Sequence, residues 1–454
     1  MKKILFISAI FYFANVAKAQ WAEQNAGFTN KTLGFYEFSI VNENSVWAIC
    51  YDGIGGLFGS VPILDFTRTI DGGQTWVAGL MGNDETLAFS NISAISETEA
   101  WVSMHKFNFS GGGGLYHTTD GGVTWLQSNV GLIFNDASFP NFVHFKDASN
   151  GIAGGDFNDG YFEIYTTTNG GASWTRTPES NLPAFITGGG YGWFDGYAAV
   201  GNNIWFGTNL GEIYKSTDFG NTWTINTMSP EQETVYEIAF NDDGLHGLSH
   251  VRNNTSTKLF TTENGGVTWL QIATNTIPQW KQSRICSIPG TNTFVSTSTN
   301  SGSTGGSSFT NDNGVTWTNI ESTNSKAACR FLNSTTGWAG GFFNDDPLYA
   351  ISGGIFKWDN SIVLSTASNY LSDDAFKLYP TPANSNLIIE TNETIYGKAA
   401  TISIYSTDGR MVYNESTPSL KSKELIDINS IADGCYILKI STANGQLNKR
   451  FLKN

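Results

Sequence analysis

Cysteine and histidine are scarce in this chain of 454 residues, which contains only four cysteines and five histidines. The cysteines lie far apart, at Cys50, Cys286, Cys329 and Cys435, and no Cys-x-x-Cys pair is present. Because structural zinc sites are commonly built from such closely spaced pairs, the sequence predicts no metal site. A Gly-x-Ser-x-Gly phrase, which marks the serine nucleophile of many hydrolases, is also missing.

The chain also has few positively charged residues. The chain has 25 Lys and Arg residues against 40 Asp and Glu residues, which gives a formal net charge of −15. This excess of negative charge disfavours nucleic acid and anionic membrane surfaces as partners. No apolar run reaches the roughly 20 residues that a membrane-spanning helix needs, so the sequence predicts no transmembrane segment.

What the chain does have is a repeated octapeptide that ends in tryptophan. The first copy is Thr69-Ile70-Asp71-Gly72-Gly73-Gln74-Thr75-Trp76, and five related copies occupy 118–125, 167–174, 216–223, 262–269 and 310–317. Successive tryptophans are 49, 49, 49, 46 and 48 residues apart. A fixed period in this range is typical of solenoids, propellers and arrays.

The composition of the octapeptide indicates a tight turn that leads into a strand. An Asp or Asn side chain can accept hydrogen bonds from backbone N–H groups one or two residues ahead, and Thr-Trp suits a half-buried strand. Two copies replace Asp by Asn, which keeps the acceptor oxygen but would abolish a catalytic carboxylate. We therefore assign structural roles to the six turn residues and their tryptophans, namely Asp71, Asp120, Asn169, Asp218, Asn264 and Asp312, with Trp76, Trp125, Trp174, Trp223, Trp269 and Trp317.

Four short strands fit into each period, which is the pattern of a propeller blade. A seventh set of strands ends near Asn360, where the rest of the octapeptide is missing, and segment 21–27 resembles the strand that follows the other copies. We therefore predict an all-β fold in which residues 20–360 form a seven-bladed β-propeller of four-stranded antiparallel blades, with segment 21–27 as the outer strand of the seventh blade. A six-bladed ring is the alternative, but it leaves the seventh set of inner strands unexplained.

The two ends of the chain differ from the repeats. Residues 1–19 combine Lys2 and Lys3, an apolar segment and a small-residue cleavage site, which is typical of a secretory signal peptide. Residues 361–375 are polar and predict a linker. Residues 376–454 contain alternating strands separated by Asp-Gly and Asn-Gly turns, which predicts a small C-terminal antiparallel β-sandwich.

Residues 376–454 also resemble the type A sorting domain of the type IX secretion system. The Tyr-Pro-Asn-Pro opening, the Tyr-x-x-x-Gly-Arg turn, the Gly-x-Tyr strand and the basic–apolar tail of that family correspond to 379–382, 405–410, 434–436 and 449–453. Thr381 and Cys435 depart from the family pattern. The resemblance implies a Gram-negative bacterium of the Bacteroidetes type, the type IX secretion machinery as a partner, and a final location in the medium or on the outer-membrane surface.

The octapeptide resembles the Asp-box, or BNR, repeat, Ser/Thr-x-Asp-x-Gly-x-x-Trp. That repeat occurs in sialidases, xyloglucan-type glycoside hydrolases, sortilin-type receptors and seven-bladed photosystem II assembly factors. The repeat sequences of this chain most resemble those of the assembly factors and the sortilin-like receptors. A sialidase is disfavoured because the Arg-Ile-Pro phrase of that family is missing; the nearest phrase, Arg284-Ile285-Cys286, lies late in the chain. Unrelated functions share this fold, so the resemblance implies a propeller and leaves its activity open.

We expect the functional surface on the face opposite to the octapeptide turns, where the loops are long and unequal. Aromatic side chains in these loops suit a platform for a saccharide or a peptide, although the same rings could instead pack the loops. The candidate ligand-binding residues are Tyr51, Phe58, Phe107, Phe157, Tyr161, Tyr191 and Trp193. Asp52, Asp156 and Asp195 lie among them and are the candidate catalytic residues if the protein is an enzyme.

Two functions are compatible with these features. One is a non-catalytic module that binds or adheres to an extracellular glycan or protein; the alternative is a secreted glycoside hydrolase, which needs two carboxylates about 5–10 Å apart. The sequence predicts no cofactor, and its Asp-Asn-Gly clusters, which could supply oxygen ligands to calcium, lack the spacing of an EF-hand. Cys286 and Cys329 fall on the first strands of adjacent predicted blades, so the sequence is compatible either with a disulfide between them or with two buried free thiols.

Overall fold

The structure, a computed structural model, describes residues 20–28, 33–52, 61–82, 84–129, 131–184, 190–228, 233–253, 256–300, 304–322, 324–341, 354–359, 375–393, 395–406, 411–442 and 445–454. The predicted signal peptide, Asn360 and most of the predicted linker lie outside these residues. The chain divides into two compact units, Met1–Ile362 and Val363–Asn454.

Seven four-stranded antiparallel sheets make up the first unit, which confirms the seven-bladed propeller. Its strands, in chain order, are β1 (Trp21–Gln24), β2 (Leu33–Ile40), β3 (Val46–Asp52), β4 (Asp65–Thr69), β5 (Val77–Leu80), β6 (Leu87–Ala94), β7 (Ala100–Lys106), β8 (Gly113–Thr118), β9 (Leu126–Gln127), β10 (Pro140–Phe145), β11 (Gly151–Asn158), β12 (Tyr161–Thr167), β13 (Thr175–Arg176), β14 (Gly192–Val200), β15 (Asn203–Thr208), β16 (Glu212–Ser216), β17 (Thr224–Thr227), β18 (Thr234–Phe240), β19 (Gly247–Arg252), β20 (Thr257–Thr262), β21 (Leu270–Ile272), β22 (Arg284–Ser287), β23 (Phe294–Ser298), β24 (Gly306–Thr310), β25 (Thr318–Glu321), β26 (Lys326–Asn333), β27 (Thr336–Gly341) and β28 (Ile355–Trp358).

Blades 1 to 6 are β2–β5, β6–β9, β10–β13, β14–β17, β18–β21 and β22–β25, each in sequence order. Blade 7 has the order β26, β27, β28 and β1. The first strands of neighbouring blades contact one another, so they are the inner strands that surround the central channel. Short 3₁₀ turns at Glu179–Asn181 and Thr274–Thr276 lie in two of the connections between blades.

The ring closes because the first and last strands of the propeller pair with each other. Strand β1 is antiparallel to β28, with Trp21 opposite Trp358, and the two indole rings are in edge contact with centroids 4.8 Å apart. The N–H of Asp359 also donates to the carbonyl oxygen of Gln20 at 2.8 Å. The prediction that the N-terminal segment supplies the outer strand of blade 7 is confirmed.

Each octapeptide forms a hydrogen-bonded turn between the third and fourth strands of a blade. In the first copy, Thr69 Oγ1 donates to Asp71 Oδ1 at 2.8 Å and accepts the N–H of Gly73 at 2.9 Å. Asp71 accepts the N–H of Thr75 at 2.9 Å and its hydroxyl at 2.5 Å. The aspartate therefore bonds four residues ahead, rather than the expected one or two, and these bonds lower its pKa to about 2.

The copies with asparagine keep the same turn. Asn169 Oδ1 accepts the N–H of Ser173 at 3.0 Å, and its Nδ2 donates to Ser173 Oγ at 2.9 Å. Asn264 makes the equivalent pair of bonds to Thr268. The amide can replace the carboxylate because the hydroxyl four residues ahead can act as either donor or acceptor.

A tryptophan on the second strand of several blades connects neighbouring blades. Trp47 of blade 1 donates through Nε1 to the carbonyl oxygen of Ser96 in blade 2, and its ring meets that of Trp125 in the second octapeptide edge-on. Trp205 of blade 4 likewise donates to the carbonyl oxygen of Gly265 in the fifth octapeptide at 2.9 Å. The octapeptides therefore form part of the contacts between blades.

The octapeptides and the turns between first and second strands lie on the same face of the propeller. The N–H of Gly72 in the first octapeptide donates to the carbonyl oxygen of Asn44, and the N–H of Gly121 in the second donates to that of Thr98. The carboxyl-terminal ends of the inner strands therefore meet at this face, which we call the octapeptide face. Their amino-terminal ends and the long loops meet at the opposite one, the loop face.

A disulfide joins Cys286 on β22 to Cys329 on β26, with their Cα atoms 6.3 Å apart. It links the inner strands of blades 6 and 7, so the disulfide is the correct one of the two possibilities left open by the sequence. Cys50 is a buried free thiol and Cys435 an exposed one.

The second unit contains two antiparallel sheets, which confirms the predicted C-terminal β domain. Its strands are β29 (Phe376–Tyr379), β30 (Asn386–Thr391), β31 (Ala400–Ser406), β32 (Met411–Thr417), β33 (Lys423–Asp427), β34 (Gly434–Thr442) and β35 (Gly445–Lys453). The sheet orders are β29-β30-β33 and β32-β31-β34-β35. Both sheets supply residues to one apolar core, for example Leu387 and Ile389 from the first and Ile404 and Leu438 from the second.

Candidate functional site

Five charged side chains from five inner strands meet in the central channel. Arg284 Nη1 lies 3.1 Å from Asp195 Oδ2 and 2.8 Å from Glu237 Oε2. Arg330 Nη2 lies 2.9 Å from Glu37 Oε1 and 3.4 Å from Asp195 Oδ1. Asp195 thus bridges the two guanidinium groups. We call this set of five residues the channel cluster.

The channel cluster contains one more acid than base, and burial raises the pKa of both of its glutamates, Glu37 and Glu237. Burial raises the pKa of Glu37 well above its usual value, and the neighbouring charge of Asp195 raises it further. Burial alone would lower the pKa of Arg284 and Arg330, but the surrounding carboxylates raise both, so the two arginines stay charged. With Glu37 protonated and hydrogen-bonded to Asp195, the cluster has no net charge, which is the arrangement that a buried site favours.

The three candidate catalytic carboxylates lie in different surroundings. Asp195 belongs to the channel cluster and is only 2% exposed. Asp156 Oδ1 accepts Asn141 Nδ2 at 2.7 Å and the N–H of Gly192 at 2.9 Å; burial nevertheless raises its pKa to about 7. Asp52 is buried at the end of β3. Asp195 and Asp156 are thus both engaged by internal donors.

The candidate aromatic residues fall into three groups. Tyr51 and Phe107 border, together with Asp52, a cavity of about 40 Å³ on the loop face. Phe157 and Tyr161 lie on the β11–β12 hairpin, where the guanidinium of Arg176 covers the Tyr161 ring at 4.0 Å. Trp193 lies at the start of β14, the inner strand of blade 4, and Tyr191, which is 45% exposed, directly precedes that strand. Phe58 lies outside the described residues.

Trp193 belongs to a row of side chains in ring contact at the loop-face mouth of the channel. Its ring centroid is 4.8 Å from that of Phe194 and 4.2 Å from that of Tyr236. The guanidinium of Arg252 lies 5.1 Å from the Tyr236 centroid. The row borders a cavity of about 90 Å³ whose wall also includes Glu237 and Arg284 of the channel cluster. We call it the loop-face cavity.

Sequence reasoning missed most of these residues. Tyr236 and Arg252 were not candidates, and Arg284 was considered only for a sialidase phrase. A usable signal did exist, because Glu37, Glu237 and Arg330 each lie between apolar neighbours in an inner strand. A charged residue at such a position is rarely buried unless it is paired.

A third cavity, of about 300 Å³, opens at the octapeptide face of the channel, and we call it the octapeptide-face cavity. It was not predicted, since the sequence directed attention to the loop face. In the described part of the chain, no group of three or more His, Cys, Asp or Glu residues is placed to hold a metal ion. The described residues also contain no helix long and apolar enough to cross a membrane.

Comparison with known proteins identifies the C-terminal unit. Residues 377–454 match the family of secretion system C-terminal sorting domains. The chain is therefore a β-propeller protein with a type IX secretion sorting domain, which directs it to the medium or the cell surface of a Gram-negative bacterium. No curated protein sequence matches the chain significantly.

The propeller itself is similar to solved structures of YCF48. A YCF48 bound to D1 peptide is 14% identical with a TM-score of 0.50, over 75% of this chain and 97% of that one. YCF48 from Cyanidioschyzon merolae is 17% identical with a TM-score of 0.52, over 76% of this chain and all of that one. At these identities the similarity establishes the fold alone, a β-propeller.

Proposed function

We propose that this secreted propeller is a non-catalytic binding module that holds an extracellular glycan or protein at its loop-face cavity. The observation that supports this proposal is the row Phe194, Trp193, Tyr236 and Arg252 beside the cavity. Stacked rings with one polar end offer large rigid contact areas, the kind that dominate binding energies in recognition sites. Arg252 adds hydrogen-bond donors to the apolar surface.

The state of the candidate acids favours binding over hydrolysis. Asp195 is buried and held between two arginines, so its carboxylate is engaged internally and is not presented to a substrate. Glycoside hydrolysis needs two carboxylates that flank the same bond. The acid nearest to the loop-face cavity, Glu237, is itself ion-paired to Arg284.

A glycoside hydrolase is the second candidate, and one observation favours it. The pKa of Asp156 is raised to about 7, in the range that suits a general acid near neutral pH. An enzyme of this kind would need a second carboxylate close to Asp156 on the loop face.

The test is binding of the mature full-length protein to arrays of glycans and peptides, followed by affinity measurements on any hit. Trp193→Ala should weaken binding at least about tenfold, as expected for a central aromatic contact. Tyr161→Ala is the matched control, because Tyr161 is an aromatic residue of the same face that packs under Arg176. Equal losses in both variants, or release of reducing sugar from any polysaccharide, would contradict the proposal.

A further inference from the structure

The octapeptide-face cavity is formed by the carboxyl-terminal ends of the inner strands. Its volume of about 300 Å³ is at the lower end of the range of ligand pockets. The channel cluster lies at its base, where Arg330, with a side chain 31% exposed, lines the cavity. The polar residues that line it are Glu37, Ser39, Ser93, His144, Tyr197, Ser287 and Arg330.

In blades 2 and 3, a serine side chain from the preceding blade accepts a hydrogen bond from a backbone N–H group that faces the channel. The N–H of Ala94 donates to Ser39 Oγ at 2.8 Å, and the N–H of Phe145 donates to Ser93 Oγ at 3.0 Å. Each serine acts as a cap on a strand edge that would otherwise face the cavity. Ser39 and Ser93 hold the same register position, opposite Trp47 and Trp101 of their own blades.

Blades 1, 5 and 6 have backbone groups at the positions equivalent to Ala94 and Phe145. The N–H groups of Val41, Asn241 and Ile288 bond back to the turn before the second strand, at 3.0, 3.0 and 2.9 Å. In an antiparallel ladder the N–H and C=O of the preceding residue point the opposite way. The N–H and C=O of Ile40, Phe240 and Ser287 therefore face the channel, as those of Ala94 and Phe145 do.

These three positions do not receive the serine cap. The residues in register with Ser39 in the preceding blades are Arg330 for blade 1, Ala198 for blade 5 and Ala239 for blade 6. None of these side chains has an oxygen atom that could accept the N–H. Three pairs of backbone donors and acceptors thus line the cavity wall without the cap present in blades 2 and 3.

The chemistry of the wall defines the ligand. Each uncapped position offers one donor and one acceptor, and the hydroxyls of Ser39 and Ser93, having accepted an N–H, still have a proton to donate. The charge of Arg330 is balanced within the channel cluster, where Asp195 Oδ1 lies 3.4 Å from its Nη2, so the base of the cavity has little attraction for an anion. Hydroxyl groups, each of which can both donate and accept through one oxygen atom, match this pattern.

We propose that the octapeptide-face cavity is a second binding site, which takes a small neutral polyhydroxylated ligand the size of one sugar residue or polyol. Ile40, Phe240 and Ser287 supply backbone donors and acceptors to its hydroxyls, and Ser39 and Ser93 supply side-chain donors. This site is separate from the loop-face cavity and does not depend on the function proposed for it.

The test uses saturation-transfer NMR on the mature full-length protein with glucose, galactose, mannose, N-acetylglucosamine and mannitol, and with inorganic phosphate as the anionic probe. Ala198→Ser and Ala239→Ser each introduce a serine at the capping position, which should satisfy the N–H of Phe240 or Ser287 internally. Each variant should bind the sugar or polyol about three- to tenfold more weakly, the effect of losing one hydrogen bond.

Two controls separate this effect from others. Ala172→Ser places the same change on the exposed third octapeptide and should leave the affinity unchanged. Trp193→Ala reports on the loop-face cavity: loss of sugar binding in this variant, with both serine variants unchanged, would place the sugar at the loop face and overturn the proposal. The proposal is overturned if no sugar or polyol binds, if phosphate alone binds, or if both serine variants fold, as judged by melting, and bind as tightly as the unmodified protein.

Discussion

Replacing Asp195 by asparagine tests whether the channel cluster is structural or catalytic. The substitution keeps the shape of the side chain but removes the charge that bridges Arg284 and Arg330, at 3.1 and 3.4 Å. Breaking a buried ion pair by removing the charge of one partner costs about 3–5 kcal/mol, because the remaining charges are left uncompensated. We expect Asp195→Asn to lower the free energy of unfolding by that amount at pH 5.

The cost should become smaller as the pH rises. In the unmodified protein the pKa of Glu37 is raised in the folded state, so the folded state binds more protons than the unfolded one above the ordinary glutamate pKa, and stability falls as pH rises through that window. Removing the charge of Asp195 lowers the folded pKa of Glu37. Glu37 then ionises and restores the charge balance, so the penalty at pH 8 should be smaller than at pH 5.

The measurement is urea unfolding of both proteins at pH 5 and pH 8, with Asp159→Asn as the matched control. Asp159 is 67% exposed and lies 3.5 Å from Arg176, so its substitution should change stability by no more than about 1 kcal/mol. If Asp195 were a catalytic acid, Asp195→Asn should leave the free energy of unfolding unchanged or raise it, because active-site charges are usually held at a cost to stability. An Asp195→Asn protein as stable as the Asp159→Asn protein would refute the structural role.

Four further predictions follow from the geometry. Thr69→Val should destabilise blade 1 more than Asp71→Asn. The Thr69 hydroxyl takes part in three hydrogen bonds of the turn, whereas Asn169 and Asn264 show that an amide can replace the carboxylate. Equal melting temperatures of the two variants would contradict this. The raised pKa of Asp156 makes the unmodified protein lose stability as the pH rises from about 4 to 7, so Asp156→Asn should make the free energy of unfolding depend less on pH in this range. The same pH dependence in both proteins, measured by denaturation at several pH values, would contradict this. Substituting Cys286 and Cys329 by alanine should cost up to about 4 kcal/mol, the chain-entropy value for their separation of 43 residues, and reduction of the unmodified protein should reproduce the loss in guanidinium unfolding. Deleting 376–454 should leave the propeller folded but retained in the cell envelope; truncated protein in the culture fluid would count against the sorting role of that unit.

The features that recur along the chain could be predicted from the sequence. The six octapeptides set the period of the blades, and the similarity of segment 21–27 to the segment after Trp125 predicted the closure that β1 and β28 show. Repetition makes such features visible because each copy confirms the others. Even so, the hydrogen-bond pattern of the turn was not predicted, because the role of the leading Thr69 hydroxyl depends on a turn geometry that the residue types alone do not specify.

The features that occur once could not be predicted in the same way. Glu37, Asp195, Glu237, Arg284 and Arg330 come from five blades, and only the closed ring brings them together. The octapeptide-face cavity depends on the register of inner strands, in which a serine in one blade and an alanine in another produce different surfaces. Asp52, Asp156 and Asp195 were grouped by their position in loops, but the structure places them in three separate environments.

The pairing of β1 with β28 has a consequence for how the chain can be rearranged. Because Gln20 and Asp359 are joined by a backbone hydrogen bond, the two ends of the propeller lie side by side, and a short peptide could connect them. The ring could then be cut at any connection between blades, which would yield seven circular permutants with the same set of sheets. The octapeptide sequence would be unchanged in each, but the strand made last, and hence the step that completes the ring during synthesis, would be different.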